Sequence, residues 1–190
     1  MTQTYTPIST LEAVNLMLAA VGEMPVNEIP ADGVADALIA EAMLHDTNRE
    51  VQTLKLNCNT DENVEMTPDV SGNILIPADA ISFETTYRSN YYVERAGKLY
   101  DKVNHTFVFT QPVYANYTTF LPFEDLPQPV RNYIARLAAS RFQTHILGSE
   151  SLTELQAEGV QSAWRLLVAT ELSAVKRNLL NSPSLWKLRR

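Results

Sequence analysis

One cysteine, Cys58, in 190 residues excludes an internal disulfide and any CxxC site, and fits a chain made and used in a reducing cytoplasm. No apolar run approaches the roughly 20 residues of a membrane span, so no membrane partner is expected. The opening Met-Thr-Gln-Thr-Tyr-Thr-Pro has no basic start followed by an apolar block, and so does not read as a signal peptide. The three histidines, His45, His105 and His145, are scattered and form no HExxH or HxxxH pair. With Cys58 they suggest no zinc site. No GxSxG elbow, P-loop or GxGxxG is present, and Gly97-Lys98 lacks the upstream glycine of a P-loop. Positive charge is also in short supply, with 15 Lys+Arg against 22 Asp+Glu and a net charge of −7. Phosphate neutralisation needs clustered cations, which argues against a general nucleic-acid binder but allows a surface that DNA passes without adhering. No catalytic, cofactor-binding or metal-ligating residue is assigned.

Carboxylates are the one chemical group in supply. Glu84, Glu94, Asp101, Glu124 and Asp125 lie in or beside a β-prone region, where a pair could act as in a glycosidase. Each has a plainer reading. Glu94 flanks a hairpin, Asp101 follows a strand, and Glu124-Asp125 caps a helix. A cell-wall hydrolase is therefore held as an alternative, as is a monomeric helical binding module.

Helical signals open and close the chain. Ser9 and Glu12 stand in capping-box spacing, and Leu11, Val14, Leu18 and Val21 recur at helical steps before Gly22 offers a stop. Beyond Pro25 and Pro30, Asp32 suits the N-cap of a second helix running to about residue 54. Its stripe, Ala37, Ala40, Leu44, Thr47, Val51 and Leu54, is narrow enough for a bundle seam. Pro127 suits the first turn of a third helix, with Val130, Ile134, Leu137, Ala138 and Phe142 on one face and Gly148 at its end. Ser151 and Glu154 repeat the capping box and launch a last helix over about residues 152–179.

That last helix carries two seams. Leu152, Leu155, Gly159, Ala163, Leu166 and Thr170 form the first. Val160, Trp164, Val168, Leu172, Val175 and Leu179 form the second, rotated by roughly 100°. A helix apolar around so much of its girth must be buried on two sides. The first seam is expected within its own bundle. The second needs the β region or another subunit, and a subunit is the preferred reading.

Between Asn57 and Phe123 the texture changes. Turn clusters (Thr67-Pro68-Asp69, Ser71-Gly72-Asn73, Ile76-Pro77, Ala96-Gly97, Gln111-Pro112) separate short β-prone runs at residues 74–76, 81–87, 91–93, 98–100, 107–109 and 113–120. Eleven of the sixteen aromatic residues lie between Phe83 and Phe123, as strands that bury wide side chains would have it. Residues 93–100 read as a hairpin turning at Ala96-Gly97. The expected fold is α+β: an antiparallel bundle of about four helices from residues 1–56 and 124–181, an inserted small antiparallel β domain at 57–123, and an extended C-terminal tail at 182–190. The tail reverses the acidic trend. No acid follows Glu171, and the chain closes on Leu185, Trp186, Lys187, Leu188, Arg189 and Arg190. Trp and Arg dominate binding hot spots and free ends fray unless held, so these residues are expected to dock on a partner or a neighbouring copy.

Several blocks in order then resemble the tail tubular protein A family of short-tailed phages. They are AVNLMLAAVGEMPV (residues 13–26), LHDTNREVQ (44–52) with its Asn48-Arg49 pair, Pro68-Asp69 followed by Asn73-Ile74-Leu75, Gly97-Lys98-Leu99-Tyr100-Asp101, and ASRFQ (139–143). The chain departs from the family at Leu54-Lys55-Leu56, where many relatives carry an aromatic. The resemblance implies a structural protein of the virion tail, not an enzyme, assembled in the host cytoplasm and needing no cofactor. It implies a ring of twelve copies joining the portal protein above to the tail nozzle protein below, with double-stranded DNA passing through the lumen without specific binding.

Overall fold

A computed structural model describes residues 6–29, 35–87, 91–148 and 150–180. The fold is α+β and forms two compact units, one from Met1–Val51 with Pro122–Arg190 and one from Gln52–Leu121.

The first unit contains helices α1 (Thr10–Ala20), α2 (Ala35–Gln52), α3 (Gln128–Leu147) and α4 (Glu150–Leu180), with a 3-10 turn at Phe123–Asp125. The capping box of α1 is complete: the Glu12 amide donates to Ser9 Oγ at 3.2 Å and the Ser9 amide to Glu12 Oε2 at 2.8 Å. Gly22, at φ +83°, then turns the chain away. Asn15 clasps the segment that follows, donating from Nδ2 to the Val26 carbonyl at 2.9 Å and accepting the Val26 amide at 2.8 Å. On α2, Ala37, Ala40, Leu44, Thr47 and Val51 are all buried, together with Asn48. The helix stops at Gln52, short of Leu54, because Lys55 takes φ +58°. The expected cap Asp32 lies outside the described residues, as do the side chains of Ser151 and Glu154. Pro127 stands at the N-cap of α3 and Pro129 takes the first turn, while Gly148 closes the helix in the left-handed region at φ +59°.

The core of this unit gathers Met17, Leu18, Leu44, Ile134, Phe142 and Leu167. Leu167 corrects the first seam of α4. The buried line steps four residues, from Ala163 to Leu167, so Leu166 turns outward and is 52% exposed.

The second unit holds β1 (Thr60–Met66), β2 (Ala80–Thr85), β3 (Tyr92–Arg95), β4 (Lys98–Asp101) and β5 (Val113–Thr119). An antiparallel sheet has the order β1-β5-β2, and β3 pairs with β4 in a hairpin. Ala96 and Gly97 turn that hairpin at φ +51° and +71°, meeting the requirement of a type I′ turn for two positive φ values. Residues 74–76 make only a bridge, at Leu75 to Lys98, yet Ile74 and Ile76 are buried beside Leu99. Residues 107–109 form no strand. Thr106 bridges to Asp101, and Phe107 and Phe109 instead stack on Tyr100 and Tyr92 at 4.8 and 5.5 Å. The aromatics here cover a hairpin rather than extend a ladder. Strand β1 was not expected from its sequence, Thr-Asp-Glu-Asn-Val-Glu-Met. It carries a bulge between Asp61 and Val64, where Asn63 sits at φ +54° and donates its amide to Asn116 Oδ1 at 2.8 Å. The two ends of this unit are fastened by Gln52, whose amide group donates to the Leu121 carbonyl at 2.7 Å and accepts the Leu121 amide at 2.8 Å.

Candidate assembly surface

Of the five carboxylates singled out for chemistry, Glu84, Asp101 and Glu124 are engaged in holding the chain. Asp101 is buried, and its Oδ1 accepts the amides of Val103 and Asn104 at 2.8 and 3.0 Å while Oδ2 accepts Asn104 Nδ2 at 2.7 Å. Glu124 accepts the amide and hydroxyl of Thr10 at 2.6 and 2.7 Å, and Arg131 Nη1 at 3.0 Å. Burial pushes its carboxyl upward, but Thr10 and Arg131 outweigh that and hold it below the ordinary value. Arg131 is itself buried and also donates to the carbonyls of Leu126, Ile8 and Glu124. Glu84 pairs with Lys55 at 2.6 Å. Among the described residues no group of three or more His, Cys, Asp or Glu could hold a metal ion, and no helix is long and apolar enough to cross a membrane.

The blocks behind the family resemblance have the same structural character. Asn15 clasps Val26, and Asp69 accepts the amides of Ser71 and Asn73 at 2.8 and 2.9 Å to shape the turn before Ile74. Arg141 of the ASRFQ block grips Glu50 of the second block through two hydrogen bonds of 2.7 Å each, tying α3 to α2. That bidentate pair lowers the Glu50 pKa and raises that of Arg141. Sequence reasoning missed Arg131, Asn15 and Gln52 as organising residues.

Helix α4 leaves apolar surface uncovered. Trp164 stacks on Tyr133 of α3 with ring centroids 5.1 Å apart, yet stays 40% exposed. Along the same stripe Val160 and Val168 are half-buried and Leu172 is 55% exposed. The side chains of Val175 and Leu179 lie outside the described residues, as do Leu185, Trp186, Lys187, Leu188, Arg189 and Arg190. On an α-helix Leu166 falls about 160° from Trp164, so α4 presents large apolar side chains on two flanks. Beside Val160 lies an open groove of about 340 Å³ lined by Leu16, Ala19 and Ala20 of α1, Arg136 and Ala139 of α3, and Gln156 and Gly159 of α4. Small residues keep it open. A Cβ on Gly159 would come within 3.3 Å of Arg136 Nη1. Such a face can bury side chains of a partner, each large one contributing about 1.5–3 kcal/mol when fully covered.

The family described as Tail tubular protein matches residues 11–176, from α1 to near the end of α4. The chain is also 28% identical over 141 residues to tail tubular protein A of Klebsiella phage KP34, covering 74% of this chain and 75% of that protein.

Proposed function

The chain belongs to the tail tubular protein family and is a structural component of a phage virion tail, and we propose that it assembles into a closed ring of twelve copies. In this reading the ring joins the portal protein to the tail nozzle protein and lines the channel through which double-stranded DNA leaves the particle. The observation that carries it is the exposed apolar stripe of α4. Trp164 and Leu172 stand out from a helix whose inner line, Ala163 and Leu167, is already satisfied. Contacts between different patches on identical subunits close into rings when the rotation allows. The excess of acids, 22 against 15 bases, favours a channel wall to which DNA does not adhere. The basic, Trp-bearing end of the chain, residues 185–190, is the proposed dock onto the portal or the adjacent copy.

Imaging of the full-length chain with its portal tests the ring directly, and variants test its parts. Trp164→Ala and Leu172→Ala should impair ring formation, seen by electron microscopy and light scattering, more than they lower the thermal midpoint of the subunit. Equal loss of folding and assembly would mean that the stripe is core. Deleting residues 184–190 should spare folding and weaken portal binding, and unchanged affinity would remove the docking role of the tail.

A further inference from the structure

Charge in the second unit is segregated by position. Strand β1 carries Asp61, Glu62 and Glu65, all exposed, and no base. The β3–β4 hairpin and the turn after it carry Arg95, Lys98 and Lys102. Of the two acids in that lobe, Asp101 is already engaged by the amides of its own turn, leaving Glu94. No ion pair within 4 Å among the described residues reaches Asp61, Glu62, Glu65, Arg95, Lys98 or Lys102, although Lys98 acts on Asp69 at longer range, whereas Lys55, the other described base of the unit, is paired with Glu84. Asp61 does hydrogen-bond Tyr117.

The topology puts these two surfaces at opposite margins. The sheet runs β1-β5-β2, so β1 is an edge, and β3 packs beside β2 at the other edge. The lobe is also apolar where it is exposed. Arg95 lies 4.0 Å over the Tyr100 ring, Phe107 stacks on Tyr100, and Val103 and Val108 stand in solvent. An edge strand adds a row of unpaired backbone amides and carbonyls. One margin is thus an acidic strand edge and the other a basic aromatic lobe.

We propose that a second copy of this chain covers each margin, with β1 of one copy seated against the β3–β4 lobe of the next. Charge complementarity selects this pairing. Acidic edge on acidic edge, or basic lobe on basic lobe, sets like charges together and is penalised. Edge on lobe satisfies both. Because the two patches differ, the contact is head to tail, the kind that generates rings rather than closed pairs. The inference rests on the ring reading and supplies it with a second contact, distinct from the α4 stripe.

Cysteine cross-linking tests it on the full chain. In a Cys58→Ser background, Glu65→Cys and Lys102→Cys are combined in one chain and mildly oxidised under conditions where rings form. The expected product is a ladder of covalent multimers running beyond the dimer on a non-reducing gel, absent from either single cysteine variant. Dimers only, or no product from a preparation in which imaging finds rings, would overturn the proposal and leave the ring reading standing. Absence of rings under all conditions would overturn both. Charge reversal is an independent arm. Glu62→Lys with Glu65→Lys, and Arg95→Glu with Lys102→Glu, should each lose the assembled fraction with unchanged thermal midpoints. All four changes in one chain should restore it. Failure of that rescue, or loss of assembly only through unfolding, counts against the contact.

Discussion

Ala96 holds the β3–β4 turn in a conformation that its side chain does not favour. Of the four non-glycine residues at positive φ among the described residues, Lys55, Asn63, Ala96 and His105, it alone has no polar side-chain group. The left-handed region costs an L-residue about 1–2 kcal/mol, and Asn tolerates it better. Ala96→Asn should therefore raise the urea midpoint, by a gain of up to about 1 kcal/mol. A lower midpoint would show that the methyl group is needed where it stands. This turn was legible because its requirements are local, as were the capping box of Ser9 and Glu12 and the stop at Gly148. Arg131 was not legible in the same way. Its partners include the Ile8 carbonyl, 123 residues away in sequence, and nothing in the residues beside an arginine states which distant carbonyls it will meet. Gln52, which fastens Leu121 across 69 residues, is the same case.

Among the elements, α4 shows what a periodic pattern conveys and what it leaves open. With 3.6 residues per turn, the step from Ala163 can be three or four, and both Leu166 and Leu167 are leucines. The pattern announces an amphipathic helix, but its phase is settled by packing, which buries Leu167 to 1% exposure. Leu167→Ala should cost about 2–5 kcal/mol, whereas Leu166→Ala should change subunit stability by no more than about 0.5 kcal/mol. Denaturant titration of both variants separates them, and comparable losses would place Leu166 in the core after all. Strand β1 was hidden for a different reason. Its acids suppress the usual strand composition, and the bulge at Asn63 breaks the two-residue alternation by which a half-buried strand is recognised.

Across the whole molecule, stability depends on carboxylates kept ionised. Glu12 is held below its ordinary pKa by the Ser9 amide, Glu50 by Arg141, and Asp69 by the Asn73 amide. Glu124 is held below by Thr10 and Arg131, against its own burial. A carboxylate with a depressed folded pKa contributes stability above the unfolded value, about 4 for Asp and Glu, and loses it as pH falls through the folded value. Tm should therefore stay level on acidification to about pH 5 and fall below about pH 4. Glu50→Gln with Glu124→Gln should make that fall shallower. A Tm that rises on acidification would contradict the assignment. The acidic bias was plain in the composition, but which acids bear on folding depends on partners that only the fold brings near.

The helical unit is assembled from both ends of the chain around a contiguous second unit, and this has a bearing on timing. During synthesis α1 and α2 emerge first, and their partner α3 begins only at Gln128, after the whole of Gln52–Leu121. At about 5–20 residues per second, Glu50 on α2 waits several seconds for Arg141 on α3. The second unit has its full sequence in hand during that interval. Of the described elements α4 is made last, and it bears Trp164 and Leu172. A nascent subunit therefore gains the proposed α4 contact only after the second unit and the other three helices have been made.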